Sequence, residues 1–409
     1  MNEKDTLFLT KITDVLSPMG MDFYNSYIRE FTKNGQYFLD YPKLYSELGN
    51  SGIERYLLDF IEKNKIKILI FAWADSWGFD FRVEFFELLR QKIFLVMIPC
   101  DWEHYFNFKD IYYAQAADLV IVPDIVGRFI FRHYGVNAIT FYAFDTTTYR
   151  KLNGISQDID VSFVGAVIKY RRKDFLYYLA KNGINIQTYG LGTQNGKVTS
   201  EKMVEIYNRS KINLSFTGID PPNIFTRGRT ILKRVRQFKG KIIDIALCGG
   251  FVLTEDALGN EEALVLNKEI VVFNTKEELL QKVIYYLKNE NERKSIAENA
   301  YRRSLKDYTV STALPALIQK LRKMNDEKKY TPAEIILDEI FLRNYATYRF
   351  PLILKFILSG KYSFAFEELA IIFKIRKMDF HQVWYYLKRE TLDRFPRLKK
   401  FLKRIFKKK

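Results

Sequence analysis

Short apolar runs alternate with amphipathic stretches along most of this chain. In the first third, "TLFLTK", "IKILIFAWA", "IFLVMIP", "LVIVP" and "AITFY" are rich in Val, Ile, Leu and Phe and have the length of strands. Between them, apolar residues recur at helical spacing over 52–62, 81–91, 109–116 and 124–134. Strands that are apolar on both faces and separated by helices predict a parallel sheet covered on both sides.

The polar segment "FDTTTYRKLNGISQDID" interrupts this rhythm, and a second series starts at Asp160. It predicts strands "DVSFVG", "INIQTYG", "KINLSF", "GFVLTE" and "EIVVF", with helices over 171–182, 200–210 and 237–247. Helical spacing with exposed charges continues over 276–323, and everything from Thr331 onward is helical, aromatic and basic. The expected architecture is α/β: two Rossmann-like, doubly wound units, 1–145 and 146–325, facing each other across a cleft. A basic helical extension, 326–409, completes it. Ligands of such open sheets bind at the carboxyl ends of the strands, so candidate chemistry is sought there.

Composition narrows the class. A chain of 409 residues with 48% hydrophobic content can bury more than one core. No apolar run approaches the ~20 residues of a membrane-spanning helix, and the opening "MNEKDTLFLT" lacks the basic and apolar regions of a signal peptide. A cytoplasmic protein is expected. Two cysteines, Cys100 and Cys248, define no metal-ligand spacing and no disulfide framework. The net charge of +17 is concentrated at one end, with 18 Lys or Arg against 8 Asp or Glu beyond residue 330. Basicity gathered at one terminus, without a recognised binding motif, argues against a nucleic-acid-binding groove. In the tail 397–409, "RLKKFLKRIFKKK", Leu398, Phe401, Leu402, Ile405 and Phe406 share one helical face. That is the pattern of a helix lying on an anionic membrane surface or, equally, of one packed on its own domain.

The stretch "KGKIIDIALCGGFVLTED" carries the sharpest signal in the second unit. Its helix holds one acid, Asp244, follows a loop dense in Arg and Lys, and ends in Gly249 and Gly250. A helix N-terminus beside cations suits an anion, and a nearby carboxylate can accept hydrogen bonds from sugar hydroxyls. Together they suit a nucleoside diphosphate; "CGGF" alone is explained equally well as a helix stop. Gly165 ends a strand where backbone can approach a ligand. Arg171 and Arg172 open the next helix, an unfavourable place for cations without an anion, and Lys239 and Lys241 could close the opposite side. In the first unit Asp75, Asp80, Asp101, Glu103 and His104 follow strands, where each could serve as a base or simply cap a helix.

The blocks "VSFVGA", "YRRKDFLYYL", "INIQTYG", "EIYNRSKINLSF", "KGKIIDIALCGGFVLTED" and "KEIVVFNTKEELLQKVIYYLKNENERKSIAENAYRR" resemble, in order and spacing, the C-terminal half of CgeB-like glycosyltransferases. These are GT-B-fold enzymes related to a spore-maturation protein. The resemblance implies transfer of a sugar from a nucleotide diphosphate sugar to a glycan, lipid-linked or protein acceptor. Together with the positions above it gives a donor site at Gly165, Arg171, Arg172, Tyr189, Gly190, Lys239, Lys241, Asp244, Gly249 and Gly250. The resemblance itself implies that Arg171 or Arg172 holds the pyrophosphate and that an acid stands at Asp101. Catalysis is expected at Asp101, His104 or Asp75, with no cofactor, and with no metal motif at a strand end no metal is expected. The family carries Glu where this chain has Asp244, and related retaining enzymes carry a second acid where it has Arg236. These departures leave an inactive sugar-nucleotide-binding or scaffolding protein as the alternative, and both retaining and inverting chemistry stay open.

Overall fold

A computed structural model describes residues 3–12, 23–73, 78–168, 171–219 and 236–388. The first unit runs β1 (Thr6–Thr10), α1 (Phe23–Lys33), β2 (Tyr37–Asp40), α2 (Tyr41–Lys63), β3 (Ile68–Ala72), α3 (Val83–Arg90) and β4 (Phe94–Ile98). It continues with α4 (Trp102–Tyr105), a π-helical turn (Phe106–Asp110), α5 (Ile111–Ala114), β5 (Leu119–Val122), α6 (Ile125–His133) and β6 (Ala138–Thr140). The second unit comprises β7 (Ile159–Val164), α7 (Arg172–Lys181), β8 (Ile186–Tyr189), α8 (Ser200–Arg209), β9 (Ser210–Ser215) and α9 (Lys241–Leu247). Then come β10 (Val252–Glu255), α10 (Asn260–Ala263), β11 (Val271–Phe273), α11 (Lys276–Lys288) and α12 (Glu290–Asp307). Four helices finish the described chain: α13 (Val310–Asp326), α14 (Glu339–Leu358), α15 (Tyr362–Ile375) and α16 (Phe380–Leu387).

Both sheets are wholly parallel. The first is ordered β2-β1-β3-β4-β5-β6 and the second β8-β7-β9-β10-β11, so each reverses direction of winding beside its first strand. In-register pairs such as Leu9 with Phe71 and Phe8 with Ile70 put apolar side chains on both faces of the first sheet. Every expected strand is present. The sequence reading missed β2, whose four half-buried residues sit at the sheet edge, where a short strand needs little apolar character.

The expected boundary at 325 is crossed by packing. Val310, Leu314 and Leu321 of α13 join Phe8, Ile68 and Ile70 on one face of the first sheet. Helices α14–α16 join the opposite face through Phe341, Tyr345, Phe356 and Tyr386. The described part of the basic extension, up to residue 388, is thus packed into the first unit's core through its helices. Arg349 anchors it: fully buried, it lies 3.4 Å from Glu368 of α15, donates to the Phe79 carbonyl, and reaches the Tyr45 hydroxyl of α2 at 3.2 Å. Tyr45 also donates to Glu368. Gly49 permits the same approach, because a side chain there would press within 2.6 Å of Phe364 and its φ is +71°. That glycine also kinks α2, which extends well before the expected 52–62. The tail 397–409 and Asp75 lie outside the described residues.

Candidate functional site

At the carboxyl edge of the second sheet, two glycines bring backbone close together. Gly165, just after β7, donates its amide to the Tyr189 carbonyl at 2.7 Å. Gly190, just after β8, has φ +126°, and a side chain on it would lie 2.3 Å from the Gly165 oxygen. Only glycine fits there. Lys241 opens α9 and reaches over this edge, its Nζ donating to the Val164 carbonyl at 2.5 Å and standing 5.8 Å from the Phe163 ring.

One turn further along α9 lies Asp244. Its side chain is half-buried, and no hydrogen bond from the described residues reaches its carboxylate. Burial pushes its carboxyl up to about 7, with Lys241 pulling the other way. The buried Tyr207 hydroxyl beside it also lacks a hydrogen-bond partner among the described residues. A carboxyl poised near neutrality, a cation one turn away and an unsatisfied hydroxyl together offer hydrogen bonds to a polar ligand.

Helix α9 begins at Lys241 rather than at the expected Gln237, and the released residues 236–240 link the two units. Gln237 donates its amide to the Thr217 carbonyl, while Phe238 donates its amide to Asp124 of the first unit at 3.1 Å. The other Asp124 oxygen accepts from Val126 and Gly127 and so caps α6. With its amide nitrogen turned to Glu103 and its oxygen to Lys239, the Gln237 side chain bridges the units again. An ion pair between Arg128 and Glu262 at 3.0 Å adds a third link.

Arg236, where the resemblance leads one to expect an acid, is held by partners of its own. Its Nε lies 3.1 Å from Glu255, and its guanidinium donates to the Asn274 side chain at 2.7 Å. Glu255 is buried at the end of β10, where it also accepts from the Thr217 and Gly218 amides. A second carboxylate here would face Glu255 without a counter-ion.

The remaining expected residues divide. Arg172 is buried, donates to the Ala166 carbonyl at 3.0 Å and lies 5.9 Å from the Phe163 ring, so it braces the β7 edge. Arg171 caps α7 in a left-handed conformation, φ +50°, with an exposed side chain 3.9 Å from Asp174. The Tyr189 hydroxyl donates to Gln187. Gly249 and Gly250 sit apart from this group: they close α9 at the amino end of β10, donating to the Ala246 and Ile245 carbonyls. Gly249 borders a separate polar cavity of about 700 Å³ with Lys151, Asn208 and Arg293. Both glycines thus serve the turn.

In the first unit Asp101 is exposed and left-handed, φ +51°, directly after β4, and His104 is half-buried one turn on. Asp80 is engaged elsewhere, accepting from Tyr41 at 2.8 Å and Tyr348 at 3.3 Å. Sequence reasoning passed over Asp110. Inside the π-helical turn its carboxylate is buried, neither oxygen accepts a hydrogen bond from the described residues, and Lys109 Nζ lies 3.7 Å away. Burial pushes this carboxyl, too, up to about 7, with Lys109 opposing and Asp101 adding to the rise. Two adjacent charges inside the aromatic run "YFNFKDIYY" were the available signal. Among the described residues no three His, Cys, Asp or Glu side chains gather as a metal site would require.

This arrangement, two parallel doubly wound sheets joined across a cleft, is the GT-B fold. Residues 171–319 match the glycosyl transferase-like family model. Sucrose-phosphate synthase from Thermosynechococcus elongatus superposes with a TM-score of 0.54 at 10% identity, covering 79% of this chain and 100% of that one. The Anabaena protein HepE, solved in complex with UDP, gives 0.54 at 12% identity over 78% of this chain and 100% of its own. A glycosyltransferase from Rickettsia africae gives 0.53 at 10% identity over 80% and 100%. No curated protein matches the sequence.

Proposed function

We propose that this chain is a glycosyltransferase of the CgeB-like kind that takes a sugar from a nucleotide diphosphate donor. The observation that carries the reading is Lys241 and Asp244 on one turn of α9, beside the glycine pair at the ends of β7 and β8. The Asp244 carboxyl accepts from the ribose hydroxyls. Lys241 and the exposed Arg171 stabilise the charge that develops on the departing diphosphate, the role a divalent cation fills in other sites. Asp101 and His104 stand on the acceptor side, where one of them takes the hydroxyl proton as the C1–phosphate oxygen bond breaks and the new glycosidic bond forms. The glycosyl transferase-like match over 171–319 and the UDP and UDP-glucose bound to HepE support this reading. The acceptor is a glycan, lipid-linked or protein hydroxyl.

The test is release of nucleoside diphosphate from UDP-, GDP- and TDP-sugars, with and without chelator. One nucleotide class should turn over, activity should persist in chelator, and Lys241→Met or Asp244→Asn should remove most of it. Loss of activity in chelator with recovery on added magnesium or manganese would overturn metal independence. Donor binding without turnover across acceptors would favour the inactive sugar-nucleotide-binding protein.

A further inference from the structure

Helices α14–α16 bury one side in the first unit and turn large apolar side chains outward on the other. Ala365, Glu368 and Ile372 of α15 are buried, as are Val383 and Tyr386 of α16. On the outward side Tyr362, Phe366 and Phe373 recur at intervals of four and seven along α15, and Phe380 and Trp384 at four along α16. With Leu358 at the end of α14, these six side chains are 61–84% exposed. Single exposed apolar residues are ordinary, but this many aromatic ones on consecutive helices mark an interaction surface.

Charge identifies the occupant. Exposed Lys374, Arg376, Lys377 and Lys388 lie on or beside the same helices. The sequence that follows, 389–409, adds ten Lys or Arg against two acids. We propose that this face docks on an anionic lipid bilayer, with the aromatic side chains entering the interface and the cations meeting headgroup phosphates. Phe, Tyr and Trp within a basic surround match the two layers of a bilayer surface, apolar below and anionic above. A second copy of this chain would bring the same positive charge against itself. Because no helix among the described residues is long and apolar enough to cross a membrane, the contact lies along the surface.

The experiment uses the full chain, floated with vesicles of phosphatidylcholine alone or mixed with phosphatidylglycerol. Binding is expected only to the anionic vesicles, weakening as salt rises. Phe366→Ser combined with Trp384→Ser leaves every cation in place and should lower binding by about tenfold or more, the change that losing two buried aromatic side chains implies. Circular dichroism checks that this variant keeps its fold. As a second readout, brominated lipids should quench wild-type tryptophan fluorescence, and Trp384→Phe should remove that quenching. Wild-type binding by the double variant, equal binding to neutral vesicles, or unchanged quenching in Trp384→Phe would each overturn the proposal. So would a wild-type dimer that the double variant converts to monomer.

Discussion

Replacing Asp244 by Asn should stabilise the protein without ligand while weakening the proposed donor site. The carboxyl sits in a half-buried position with no hydrogen bond from the described residues, and burial raises it to about 7. In the unfolded chain an aspartate ionises near pH 4. Below that value both states hold the proton and the residue is neutral toward stability. As pH rises from about 4 to about 7 the unfolded state ionises first, so folding carries a growing penalty that levels off above about 7. At about 1.4 kcal/mol per pH unit the full displacement corresponds to about 4 kcal/mol, and partial exposure screens this to about 1–2 kcal/mol. Urea unfolding of wild type and Asp244→Asn at a series of pH values measures the difference directly. The variant should match wild type near pH 4 and exceed it by about 1–2 kcal/mol at pH 8. A saturating nucleoside diphosphate should reverse the order, because wild type gains about 2.7 kcal/mol at a hundredfold excess over Kd and the variant gains less. A difference independent of pH, or a variant less stable at pH 8 without ligand, would refute the reasoning.

Other outcomes follow from single contacts. Arg349→Met should cost about 3–5 kcal/mol in urea unfolding by stranding buried Glu368, and adding Glu368→Gln should restore part of that loss rather than add to it. Gly190→Ala should destabilise by about 2 kcal/mol or more, since its Cβ would overlap the Gly165 carbonyl at positive φ; thermal unfolding measures it. Asp124→Ala removes the α6 cap and the bond from Phe238, so it should cost about 1–2 kcal/mol and widen the spacing of the two units in solution scattering.

Much of the fold is legible in the pattern of apolar runs, because a strand buried on both faces must be apolar throughout its length. All ten expected strands are present, with β1, β3, β4, β5 and β10 buried throughout for that reason; of the two edge strands half-buried along their whole length, β8 was still marked in the sequence and β2 left no such trace. Parts of the proposed donor-side group were legible too. The positions of Gly165 and Gly190 follow from strand ends, which local sequence marks, whereas the helix start at Lys241 lies four residues beyond the expected one. The assignment of Gly249 and Gly250 was not separable in advance, since a glycine pair reads the same in a helix stop and in a ligand cradle.

By itself the sequence determined two α/β units, the place of Asp244 on a helix following a loop dense in Arg and Lys, and an aromatic, basic C-terminus. Tertiary structure alone decided where that C-terminus goes. Burial of Arg349 against Glu368, Tyr45 and Phe79 depends on residues up to 304 positions apart, and no local pattern encodes it. The same holds for Arg236, whose partners Glu255 and Asn274 lie on later elements, and for Asp110, whose raised carboxyl depends on burial. Periodicity reports which face of an element is apolar; which other element covers that face, and what charge meets a buried one, is set only when distant segments pack.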